Sequence, residues 1–76
     1  MVCAYVLIQA TLGKALNVVK EVSEIEGVKS ASAVTGAYDV VAVVEVEKIS
    51  DIADLVVNKI HRIEGVCGTQ TLMCVS

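Results

Sequence analysis

Proline, tryptophan and phenylalanine are absent from this sequence, and its only aromatic side chains are Tyr5 and Tyr38. The interior must therefore be aliphatic, built from the Val, Ile, Leu and Ala that dominate a 55% hydrophobic composition. Base-stacking aromatics on the central strands, which an RNA-recognition module needs, are missing, and Val41 and Val43 stand where they would be. Basic residues are few as well. Six Lys and Arg against nine Asp and Glu leave a net charge of −3 and provide no electrostatic footprint for phosphate backbones, so direct binding of nucleic acid is disfavoured. The single histidine, His61, has no metal-ligand partner at a suitable spacing and lies off the apolar stripe of its helix, where water would reach it. Cys3, Cys67 and Cys74 form no C-x-x-C pair and are odd in number, so neither a disulfide framework nor a zinc site is indicated; all three read as small buried hydrophobes. The loop after the first strand, Ala10-Thr11-Leu12-Gly13, lacks the cysteines of a metal-carrier domain. The uncharged runs Met1 to Gly13 and Gly65 to Ser76 are too short to span a membrane, and no basic flank marks a secretory signal. A cytoplasmic protein without cofactor or metal is expected.

What is present reads as one domain over residues 1–76, close to the lower size at which a core supports folding alone, so stability is expected to be shared with a second copy. From Val2 to about Ala10 both alternating faces are mainly apolar, the pattern of a strand covered on both sides. Leu12, Ala15, Val19, Val22 and Ile25 then fall at helical spacing, with Gly27 where a helix C-cap belongs. Val28 to Val34 alternates again, and Asp39 to Glu47 is a Val-rich strand. Ser50 suits a helix N-cap, followed by Asp51 and Asp54 in the first turn and by a buried stripe of Ile52, Leu55, Val56, Ile60 and Ile63. Val66 to Val75 supplies a last strand.

Ile25-Glu26-Gly27-Val28 recurs as Ile63-Glu64-Gly65-Val66, each time at a helix-to-strand junction. Strand-helix-strand twice over, with right-handed crossovers, predicts an α+β, ferredoxin-like βαββαβ fold: a four-stranded antiparallel sheet in the order 4-1-3-2 with two helices on one face. Strict alternation assigns Tyr5, Leu7, Ala31, Ala33, Val41, Val43, Thr69, Thr71, Met73 and Val75 to the other face. So apolar a surface marks an interface, and a homodimer with its sheets face to face is expected.

The stretch Val34-Thr35-Gly36-Ala37-Tyr38-Asp39 breaks two apolar runs and is the candidate site. Gly36 can take the positive φ of a tight turn, the N–H groups of such a turn can form an anion-binding concavity, and the Asp39 carboxylate could accept an ammonium. Together these are the elements of an amino-acid site. The plainer alternative is a hairpin in which Gly36 serves geometry and Asp39 bonds its own backbone.

With the opening strand Val2-Cys3-Ala4-Tyr5-Val6-Leu7-Ile8, the Gly36-Ala37-Tyr38-Asp39 turn, and Gly65-Val66 leading to Thr69-Gln70-Thr71, the chain resembles the effector domain of the leucine- and asparagine-responsive regulators, the RAM module of the Lrp/AsnC family. In that family a DNA-binding helix-turn-helix precedes the domain; with Met1 opening directly on the first strand, the chain resembles the stand-alone RAM proteins. The resemblance implies a dimeric α+β barrel, a tetramer, octamer or decamer built from it, and a small-molecule site between dimers, usually for an amino acid. It nominates Gly36, Tyr38 and Asp39, with Thr69, Gln70 and Thr71 facing them from a neighbouring subunit. Rival readings are an ACT-like amino-acid-binding domain, a ligand-independent assembly partner of full-length Lrp/AsnC regulators, and a dimeric barrel enzyme. The enzyme is disfavoured because Tyr5, Cys67, Thr69 and Thr71 offer the expected barrel interior no general base.

Overall fold

Six segments take up the predicted order: β1 (Val2–Ala10), α1 (Ala15–Ser23), β2 (Val28–Ala33), β3 (Val40–Val46), α2 (Ile49–Leu55) and β4 (Val66–Met73). In the computed structural model, which describes residues 1–75, the strands form one antiparallel sheet in the order β2-β3-β1-β4, as the topology predicts. Alternation sends Ala4, Val6 and Ile8 of β1 and Val40, Ala42 and Val44 of β3 to the same face. Val18 and Val22 of α1 and Ile52 and Leu55 of α2 cover them, joined by Val56 and Ile60 from a π-helical turn, Val56–Ile60, that continues α2. Every side chain of this core is aliphatic, and each large one contributes about 1.5–3 kcal/mol by leaving water.

The repeated tetrapeptide builds the same turn twice. Val28 N–H donates to Ile25 O at 3.1 Å and Val66 N–H to Ile63 O at 3.2 Å, with φ at +100° for Gly27 and +101° for Gly65. A third residue at positive φ is the requirement of a type II turn, and an L side chain there is strained. Space is short too: a Cβ on Gly65 would lie 2.9 Å from Lys14 Cβ. Because α1 ends at Ser23, Gly27 belongs to this separate turn and is not the cap of the helix.

The repeat extends two residues further, into matching β-bulges. Val28 pairs with Val44 but Ser30 with Val43, leaving Lys29 as the extra residue; Val66 pairs with Ala10 but Gly68 with Gln9, leaving Cys67 extra. One inserted residue exchanges the two faces of everything that follows. The alternation expected for both edge strands is therefore reversed. Ala31 and Ala33 lie on the helix side opposite Ala42 and Val40, and Thr69, Thr71 and Met73 lie there opposite Ile8, Val6 and Ala4. The open face carries Tyr5, Leu7, Val41 and Val43 as expected, together with Ser30, Ser32, Gln70 and Leu72. Its apolar strip runs from β3 across β1 to Leu72, with Tyr5 45% and Leu72 44% exposed. Val75 lies past the end of β4 and is 97% exposed.

Other expectations also change. Leu12 is not part of the buried stripe; it sits in the turn closed by Lys14 N–H to Thr11 O and is 99% exposed. α2 starts two residues early, so Lys48 is its N-cap and Ser50 lies inside the helix. The Asp51 carboxylate reaches back to the Lys48 N–H at 3.2 Å, as a capping-box acid does, and fixes the start there. None of the cysteines joins the core: Cys3 and Cys74 form a disulfide, and Cys67, in the bulge, is exposed. Among the described residues no helix is long and apolar enough to cross a membrane, and no three His, Cys, Asp or Glu side chains are grouped to hold a metal ion.

Candidate functional site

Residues 34–39 join β2 to β3 as a closed hairpin, with Val34 N–H donating to Asp39 O at 2.8 Å. Gly36 stands at its tip with φ +123° and open space where a Cβ would project, so backbone conformation alone calls for glycine. Thr35, Gly36 and Ala37 are exposed, and among the described residues the N–H groups of Gly36 and Ala37 donate to no other group.

Asp39 binds this hairpin to the end of β1. Its N–H donates to Ile8 O at 2.9 Å, and its Oδ2 accepts the Ala10 N–H at 2.8 Å. The side chain thus bonds the main chain of a neighbouring strand and not its own, as the plainer alternative had it. Its second oxygen keeps its lone pairs free among the described residues. Two polar side chains extend the attachment. Tyr38 donates its hydroxyl to Gln70 Oε1 at 2.6 Å, tying the hairpin to β4, and Gln9 donates its amide to Ala37 O at 3.3 Å.

Of the nominated residues, Gly36, Tyr38, Asp39 and Gln70 are therefore brought together within one chain. Thr69 and Thr71 are not, because the bulge at Cys67 turns them to the helix side. Thr69 Oγ1 lies 2.7 Å from His61 Nε2, a contact that ties the turn after the π-helical segment to β4. Gln9 is the member that sequence reasoning missed. It reads as an ordinary alternating strand residue, and the only cue was its polarity beside Leu7 on a face otherwise apolar in β1.

Asp39 is the one formally charged group among these residues, and the same hairpin carries unpaired N–H donors, so it can accept a cationic group and hydrogen-bond an anionic one. A single chain does not wall this place in. Two clefts, of about 500 Å³ and 480 Å³, lie elsewhere, one rimmed by Glu26, Glu45, Glu47, Asp51, Asp54 and Lys59 and the other by Met1, Val2, Ile49 and Met73. Neither includes Gly36, Tyr38, Asp39 or Gln70.

Comparison with known proteins follows the same line. The sequence model of the Lrp/AsnC ligand binding domain matches residues 3–76. A search of curated proteins gives no match. Among solved structures, TTHA0845 from Thermus thermophilus superposes with a TM-score of 0.95 and 32% identity, covering 100% of this chain and 95% of that one. AsnC of E. coli matches with a TM-score of 0.90 and 21% identity over 99% of this chain but 51% of its own. The transcriptional regulator NMB0573 of Neisseria meningitidis, solved as a complex with L-Met, matches with a TM-score of 0.86 and 17% identity over 99% of this chain and 50% of its own. At those identities the last two show the shared fold alone. The match over nearly its whole length, carried on a βαββαβ fold whose hairpin holds the Gly-x-Tyr-Asp turn, establishes that this chain belongs to the Lrp/AsnC ligand-binding domain family.

Proposed function

We propose that this chain senses a small effector, an amino acid, at the 34–39 hairpin and converts its presence into a change of assembly state. The carrying observation is the pairing of unused N–H groups at Gly36 and Ala37 with the half-used carboxylate of Asp39. The ligand carboxylate would take the two N–H groups, its ammonium the free Asp39 oxygen, and the Tyr38–Gln70 pair would border the α-carbon. Thr69 and Thr71, turned to the helices, are left out of this shell. The L-Met complex of the Neisseria regulator, a protein of the same fold, supports the ligand class.

A second copy would cover the strip of Tyr5, Leu7, Val41, Val43 and Leu72, closing a dimeric α+β barrel; contiguous apolar surface of this kind marks association. Higher assemblies, a tetramer, octamer or decamer of such dimers, would supply the missing walls of the hairpin site. In that arrangement the ligand shifts assembly only by its differential affinity for the two states, typically ~1–3 kcal/mol of coupling. The output would pass to full-length Lrp/AsnC regulators through shared assembly and not through direct contact with nucleic acid.

The test is a screen of the twenty L-amino acids by thermal melting and light scattering. At least one should raise the midpoint and change the mass, and Asp39→Asn should need about 10–100-fold more of it for the same response. If none moves either quantity, the sensing role is wrong.

A further inference from the structure

Cys3 on β1 and Cys74, just past the end of β4, are 71 residues apart in sequence yet meet at a Cα separation of 5.4 Å, joined through their sulfurs. Their main chains are bonded as well, with Cys74 N–H donating to Cys3 O at 3.0 Å. Neighbouring ladder pairs place both side chains on the open face, where Cys3 shares its row with Tyr5 and Leu7 and stands opposite Glu45. Both residues are half-buried, on a face that the single chain leaves uncovered. A small thiol or disulfide can therefore approach without unfolding the chain.

The third cysteine cannot substitute. Cys67 lies seven positions before Cys74 on the same edge strand, roughly 20 Å away at about 3.3 Å per residue, whereas a disulfide requires Cα atoms within ~7 Å. Only one pairing is open to this fold, and it closes nearly the whole chain into a ring.

We propose that Cys3 and Cys74 are a reversible dithiol–disulfide couple that sets how firmly the end of β4 is held to β1, and through it how well the open face receives a second copy. The second half rests on the face-to-face pairing proposed above; the first does not. Oxidation runs by exchange with a low-molecular-weight disulfide such as glutathione disulfide. The thiolate of one cysteine attacks it, forming a mixed disulfide and releasing one glutathione thiolate. The thiolate of the other cysteine then attacks the protein sulfur of that mixed disulfide and releases the second. Two protein thiols become one disulfide, one glutathione disulfide becomes two glutathione thiols, and the two protons pass to them. Reduction is the reverse.

The experiment equilibrates the full chain across glutathione buffers from fully reduced to fully oxidised, quenches with a maleimide and counts alkylated cysteines by mass spectrometry, with melting and sedimentation in parallel. At the reducing end Cys3, Cys67 and Cys74 should all be labelled; at the oxidising end Cys3 and Cys74 should take neither label nor glutathione, while the exposed Cys67, with no second thiol in reach, carries label or one glutathione. The oxidised chain should melt higher by on the order of 10–20 °C, since a ring this long restricts the unfolded chain strongly. Cys3→Ser and Cys74→Ser should lose both responses and Cys67→Ser should keep them. Cys3 and Cys74 keeping one labelling state, open or closed, at every buffer ratio overturns the couple, and a bond forming without moving the midpoint overturns its hold on the end of β4. A higher midpoint with an unchanged dimer dissociation constant overturns the link to the open face alone. A monomer in both redox states overturns the face-to-face pairing itself.

Discussion

Replacing Asp39 by alanine removes the acceptor that holds the hairpin to β1. Its Oδ2 receives the Ala10 N–H at 2.8 Å in a half-buried setting, and no other group takes that N–H among the described residues. A hydrogen bond to a charged group contributes ~1.5–3 kcal/mol, and partial exposure to water reduces this one to about 1–2 kcal/mol. In a domain this small each kcal/mol moves the melting midpoint by roughly 4–8 °C, so Asp39→Ala should lower it by about 5–15 °C. Asp39→Asn retains an oxygen at the same place and should lose less than ~1 kcal/mol. Ligand binding should not separate the two variants. Both lack the charge that would receive an ammonium, so both should weaken amino-acid affinity by about 10–100-fold, the equivalent of one charge-assisted bond. Midpoints must be compared at one protein concentration, because association adds to apparent stability. An alanine variant as stable as the parent would refute the pinning role. An asparagine variant binding as tightly as the parent would refute the ammonium contact.

Gly65→Ala meets both a strained φ and a Cβ at 2.9 Å from Lys14 Cβ, and should destabilise by about 2–4 kcal/mol in urea; Gly36→Ala, strained but uncrowded, should lose only about 1–2 kcal/mol. Ile60 is fully buried at the end of the π-helical turn, so Ile60→Ala should cost about 2–5 kcal/mol in the same titration, and a loss under 1 kcal/mol would show that the core collapses there. Val43→Asp puts a charge in the centre of the open face without touching the helix-side core, and should leave the circular dichroism spectrum intact while sedimentation reports a monomer.

Strands, helices and their order were legible because apolar periodicity switches cleanly between two and about three and a half along the chain, and because Ile-Glu-Gly-Val marks both helix-to-strand junctions. What alternation could not reveal is the bulge two residues past each glycine. Lys29 and Cys67 carry no mark of being extra, yet each exchanges the faces of its edge strand, which is why strict alternation puts Thr69 and Thr71 on the wrong side and leaves Leu72 out of the open face. The Cys3–Cys74 contact stayed hidden for a related reason, since it depends on how β4 aligns with β1, and cysteine spacing carries no record of that alignment. The hairpin read better. Gly36 and Asp39 declared a turn and a carboxylate by residue type alone, while the Gln9 contact needed the β1–β3 register and the Tyr38–Gln70 bond the β1–β4 register as well.

Amino-acid sensing at the hairpin is decided by an amide-resolved NMR titration of the folded chain with each of the twenty L-amino acids. At least one of them should shift the N–H resonances of Gly36, Ala37, Asp39 and Gln70, with saturation, and Asp39→Asn should need about 10–100-fold more ligand to reach it. Saturable binding that leaves those four amides unmoved, or no binding by any amino acid, would contradict the sensing role.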